Sequence, residues 1–182
     1  EIFRYADAAR TLYDFAWNEF CSFYVEMTKA RFGVPEQRQT AQRVLAHALD
    51  VLLRLLHPMI PFLTEEVWQL LAKVAPARGL ANPEVATESV VIASWPTADT
   101  ARQNKEIEDQ FAGFQAVLGA IREIRNSQNI QQKEELTFTV RCDAGTAALL
   151  EPMQPYFTQM ARATGTSWGP NATAPDIAAS RT

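Results

Sequence analysis

The sequence predicts a mainly α-helical protein, an up-down helical bundle with a small α/β appendage at its C-terminal end. Three observations predict it. Apolar residues recur at helical spacing over four long segments, marking one face of a helix in each. Prolines and a glycine close those segments at short corners, which makes consecutive helices antiparallel neighbours. The stretch LTFTVR, Leu136–Arg141, instead alternates apolar and polar, the period of a strand.

Residues 2–31 read as one long helix, with Ile2, Ala6, Ala9, Tyr13, Ala16, Phe20, Tyr24 and Met27 on its stripe. Phe3, Leu12, Phe15, Trp17, Cys21 and Phe23 widen that stripe, which suits a helix packed between neighbours. Gly33 and Pro35 stop it. A second helix over 37–57 carries the stripe Val44, Leu45, Ala48, Leu49, Leu52, Leu55, Leu56 and Met59. Pro58 and Pro61 cannot donate backbone hydrogen bonds, so this helix turns a sharp corner at LLHPMIPFLTEEVW, residues 55–68. His57 stands at the helix end, where it can meet the last carbonyls. Thr64 is expected to cap a third helix over 63–74, with Glu65 and Glu66 in its first turn and Val67, Trp68, Leu70 and Leu71 inward.

Residues 76–89 read as a loop, followed by an extended piece at Ser89–Ala93 and by Trp95-Pro96. A fourth helix over 104–126 buries Ile107, Phe111, Phe114, Leu118, Ile121 and Ile124. After a polar loop at 127–134 and the strand, residues 145–163 read as a helix broken near Pro152 and Pro155, and Trp168 as the start of a second strand. The expected domains are a bundle over 1–127, a small α/β subdomain over 128–170 and a flexible tail over 171–182. Trp17, Phe20, Trp68 and Phe111 are assigned to packing.

A chain of 182 residues with 47% hydrophobic residues can build a real core. Its net charge of −4 gives no bulk signal for a polyanion, so any nucleic-acid contact has to come from a local patch. Cys21 and Cys142 are far apart and lack metal spacing, which favours reduced thiols of a cytoplasmic protein. No apolar run is long enough for a membrane span. The opening EIFRYADAAR has no signal-peptide pattern and no initiator Met, and reads as the middle of a longer protein.

The search for chemistry returns no catalytic residue and no metal site. His47 and His57 have no second ligand at metal spacing. There is no phosphate loop and no nucleophile elbow, and Cys21 lies in an aromatic stripe, where a buried inert thiol is expected. One polar constellation remains at the end of the fourth helix. Arg122 and Arg125 are three residues apart, so they share a face, and Asn126, Gln128 and Asn129 follow. Arginines with amides can hold phosphates and read base edges. The same arginines can also simply offset the helix dipole and pair with Glu123.

Leu12–Cys21 with Tyr24, Glu26 and Lys29, then LLHPMIPFLTEEVWQLL, SWP at 94–96 and IREIRNSQNI at 121–130, together resemble the anticodon-binding domain of the valyl-tRNA synthetases, over about residues 5–141. Isoleucyl- and leucyl-tRNA synthetases, which share the bundle and the proline-rich corner, are the nearest alternatives. A stand-alone RNA-binding protein and a purely structural helical module are the others. Ser22 and Phe23 depart from the family, which has an acidic residue and Trp there. The resemblance implies a class I synthetase anticodon-binding fold that is itself non-catalytic. Its parent would join valine to tRNA with ATP and Mg²⁺, and the parent's catalytic domain would pack against the bundle. It also implies a tRNA partner held by Arg122, Arg125, Asn126 and Asn129, with Lys29 and Arg31 as second-rank candidates.

Overall fold

A computed structural model describes residues 3–173 and 178–180 of the chain. The protein is mainly helical, with a small strand-bearing piece toward its C-terminal end, and it divides into two compact units, residues 1–98 and 99–182.

In the first unit the opening helix runs as α1 (Tyr5–Asp14), a π-helical stretch (Phe15–Val25) and α2 (Glu26–Phe32). Ile2 of the predicted stripe lies outside the described residues. Each π turn holds one residue more than an α turn, so a stripe counted at α spacing drifts off the packed face. Phe20 and Thr28 are buried, whereas Trp17, expected in the core, is 60% exposed.

Helix α3 (Pro35–Leu56) starts with Pro35 in its first turn, where the missing N–H costs nothing. Arg38 ties the corner by donating from Nε to the carbonyl of Phe32 at 2.7 Å. Helix α4 (Pro61–Val74) starts earlier than expected, because Pro61 itself opens it. Thr64 is therefore inside the first turn and not a cap. Its hydroxyl lies 3.0 Å from the carbonyl of Ile60 and 2.8 Å from Nδ1 of His57. That contact clips the end of α3 to the start of α4. Leu70, expected inward, is exposed.

The core of this unit gathers Leu53, Trp68, Leu71 and Val90. The segment beyond α4 is pinned onto it. A two-residue hairpin, β1 (Ala77–Arg78) and β2 (Glu84–Val85), replaces part of the expected loop. Residues 90–92 form a 3-10 turn capped by Ser89, not an extended piece. Glu65 accepts hydrogen bonds from Ser89 Oγ at 2.8 Å and from the Val90 N–H at 3.1 Å, and Gln69 Nε2 donates to it at 2.7 Å. These donors, Gln69 first, hold its carboxyl below the ordinary 4.5.

The second unit begins at the fourth helix, α5 (Lys105–Ser127), with Asn104 capping the N–H groups of Glu106 and Ile107. The boundary expected after residue 127 therefore moves to 98/99, because the buried side of α5 packs on the elements that follow it. Those are β3 (Leu136–Val140), α6 (Ala144–Leu150), a 3-10 turn, α7 (Gln154–Ala161) and β4 (Ala163–Trp168). Strands β3 and β4 are parallel, with α6 and α7 in the crossover between them. The rings of Phe114 and Phe157 lie 4.7 Å apart, and Phe138 and Trp168 close the cluster at 5.3 Å edge to face. A Cβ on Gly165 would stand 2.4 Å from the Trp168 ring, so only glycine fits there. Of the expected flexible tail, Ala172 is buried, and residues 174–177 and 181–182 lie outside the described residues.

Candidate functional site

The polar constellation at the end of α5 is split by the structure. Along this helix Phe114, Leu118, Ile121 and Arg125 form one buried row, at steps of four, three and four. Arg122 falls just outside the row and is exposed. Three-residue spacing puts the two arginines on neighbouring tracks, and the edge of the core runs between them.

Arg125 is 6% exposed and spends its guanidinium inside the protein. Nη1 donates to the Gln131 carbonyl at 2.8 Å. Nη2 donates to the carbonyls of Glu134 at 2.6 Å and Ala161 at 2.7 Å, with Arg162 O at 3.4 Å. Its assignment as a tRNA contact is corrected on that ground, since a buried, carbonyl-bound guanidinium presents no donor to an external phosphate. Two of those carbonyls, Ala161 and Arg162, end α7, where the helix dipole is negative.

Asn126 and Asn129 are exposed and belong to the turn that finishes α5. Asn129 sits at φ 54, the left-handed conformation that Asn tolerates. Its N–H donates to Asn126 O at 3.3 Å, and the Ile130 N–H donates to Arg125 O at 2.9 Å. The pair forms a Schellman turn. Arg122, Asn126 and Asn129 thus stand at the surface of one helix end whose backbone geometry is fixed.

Lys29 and Arg31 belong to the other unit, at the end of α2, and are exposed. Lys29 Nζ binds both carboxylate oxygens of Glu26, at 2.6 and 2.7 Å. Arg31 borders an open groove with Glu36, Gln37 and Thr40.

Spacing alone could not separate stacking aromatics from core aromatics in the first helix, and the structure does. Tyr13 and Trp17, four residues apart, lie nearly parallel at 6.5 Å with both rings exposed. Their flat faces are of the kind that stack on unpaired bases. Among the described residues no group of three or more His, Cys, Asp or Glu is placed to hold a metal ion, and no helix is long and apolar enough to cross a membrane.

Residues 1–140 match the family model described as the anticodon-binding domain of tRNA ligase. The chain is 51% identical over 174 residues to the valine–tRNA ligase of Rhodopirellula baltica, covering 96% of this chain and 17% of that protein. It is 40% identical over 133 residues to the valine–tRNA ligase of Pseudothermotoga lettingae, covering 73% of this chain and 14% of that protein. It is 34% identical over 167 residues to the enzyme of the same name from Chromobacterium violaceum, covering 90% of this chain and 17% of that protein. The chain thus spans less than one fifth of the length of these relatives.

Proposed function

The chain belongs to the anticodon-binding domains of the valine–tRNA ligases, and we propose that it grips the anticodon stem-loop of valine tRNA for a larger ligase without catalysing the reaction itself. The observation that carries this reading is the 51% identity to a valine–tRNA ligase over nearly the whole chain. The surface chemistry supports it. Arg122 offers a planar fork suited to phosphate, and Asn126 and Asn129 offer amides suited to base edges. Anticodon bases are unstacked in their loop, so Tyr13 and Trp17 are the aromatic candidates to receive them. Lys29 and Arg31 are secondary candidates for the backbone of the same RNA.

The parent joins valine to the tRNA with ATP and Mg²⁺ in a catalytic part outside this chain. The exposed apolar row Leu63, Leu70 and Val74 on α4 supports a parent whose catalytic domain packs on the first unit. The free thiols of Cys21 and Cys142 agree with a cytoplasmic protein.

Titration of the chain with valine tRNA, beside the same tRNA carrying a replaced anticodon, tests the reading. Tighter binding of the authentic anticodon is expected. Equal affinity for both would remove anticodon recognition. Arg122→Glu should weaken binding by about 1–3 kcal/mol, the worth of one specific contact.

A further inference from the structure

We infer that Arg125 is a positioning residue for the RNA-facing end of α5, acting through the main chain of three segments and never touching the RNA. The inference rests on the functional reading above, because it concerns how Arg122, Asn126 and Asn129 are held for their partner. One guanidinium gathers the carbonyls of Gln131 and Glu134 from the loop after α5 and of Ala161 and Arg162 from the end of α7. The carbonyl of Arg125 itself accepts the Ile130 N–H that closes the Schellman turn. Main chain and side chain of one residue therefore fix the turn and moor it to the core.

The same loop is held from its other side. Arg162 donates from Nη1 to the Lys133 carbonyl at 3.2 Å, and the Leu136 N–H donates to Arg162 O at 3.0 Å. Residues 131–136 are thus fastened at four carbonyls or N–H groups beside the exposed trio. A helix end without such moorings frays, and its side chains must then be ordered when a partner binds. Mooring them in advance is preorganisation, which strengthens binding without adding a contact.

Salt dependence separates this role from direct contact. Each lost phosphate contact flattens the slope of log affinity against log salt by about 0.7–0.9. A positioning residue changes affinity and leaves the slope unchanged. The test compares the whole chain with Arg125→Met and Arg122→Gln, titrated with valine tRNA across a salt series, at a temperature where melting curves show each folded. Arg125→Met is expected to bind about tenfold more weakly, as when a few binding side chains must be newly ordered, with the wild-type slope. Arg122→Gln should flatten the slope. Wild-type affinity in Arg125→Met overturns the inference, and so does a slope that falls as it does for Arg122→Gln. If Arg125→Met does not fold, Arg162→Gln releases only the Lys133 carbonyl from the exposed side. That variant is expected to lose affinity a few-fold with an unchanged slope, and wild-type affinity there overturns the inference too. Failure of the wild-type chain to bind sinks the functional reading instead, and shows in the wild-type arm alone.

Discussion

Among the described residues each of the two units buries one arginine, and only the first gives its arginine a carboxylate. In the first unit Arg78 lies over the Trp68 ring at 4.2 Å and meets the buried carboxylate of Asp50 at 3.2 Å. Asp50 also takes Arg54 at 2.5 Å. In the second unit Arg125 has no carboxylate among its hydrogen-bond acceptors and is held by main-chain carbonyls. A buried charge is costly unless it is paired or fully hydrogen-bonded. Arg78 has an opposite charge beside the carbonyls of Ala75 and Trp68. Arg125 has carbonyl dipoles alone, two of them at a helix end, and its Nε is buried without an acceptor. The first arrangement ties α3 to the hairpin after α4, and the second fixes the helix end proposed to face RNA.

The largest expected effect strikes the ion pair. Asp50→Ala leaves Arg78 buried without its counter-charge and should destabilise the first unit by about 3–5 kcal/mol. Chemical denaturation with hydrogen exchange on α3 and α4 amides reads this, and a loss under 1 kcal/mol would show that carbonyls alone can hold Arg78 as well. Arg125→Met should cost less, about 1–3 kcal/mol, because the charge leaves together with its donors and only carbonyls are orphaned. A loss equal to that of Asp50→Ala would erase the difference between the two sites. Gly165→Ala tests how rigid the surroundings of the carbonyl cage are. Its Cβ would collide with Trp168 and with Gln154 Oε1, which accepts the Gly165 N–H at 2.8 Å. A loss of about 1–3 kcal/mol is expected, measured by thermal melting, and a neutral result would mean that the Trp168 ring yields freely.

The smallest effect is the pH dependence that Glu65 gives the first unit. The folded state holds the Glu65 carboxyl below 4.5, so its contribution is complete above that value and is lost as pH falls through the folded value. Solvent screening keeps this under about 1 kcal/mol. Glu65→Gln should remove that part of the acid sensitivity in melts between roughly pH 6 and pH 3, a range that spans the ordinary carboxylate values. An unchanged acid limb would assign the sensitivity to other groups.

Much of this fold is legible in the sequence. Helical spacing found α3, α4 and α5, and prolines found their corners. Alternation found β3, and Trp168 marked the second strand, though at its end and not its start. What escaped was three-dimensional bookkeeping. The π turns between Phe15 and Val25 leave no mark in residue types, so Trp17 was counted with Phe20 on a shared inner face. The side of α5 that packs on α6 and α7 cannot be told from one facing a bundle neighbour, so the unit boundary fell one helix late. The charge of Arg125 points to the surface, and residue type alone does not mark it as a core residue. The signal was nonetheless present: it continues the row Phe114, Leu118 and Ile121 in step. Asp50 offers the same hint, a carboxylate within the apolar run Ala46–Leu56.

The carbonyl cage around Arg125 also has an evolutionary consequence. Every residue type at positions 131, 134, 161 and 162 brings a carbonyl, so substitutions there leave the ligands of the guanidinium in place. The sensitivity of this cage to substitution therefore falls on the one codon of Arg125, whereas in the first unit a change at either Asp50 or Arg78 removes a charged partner from the other.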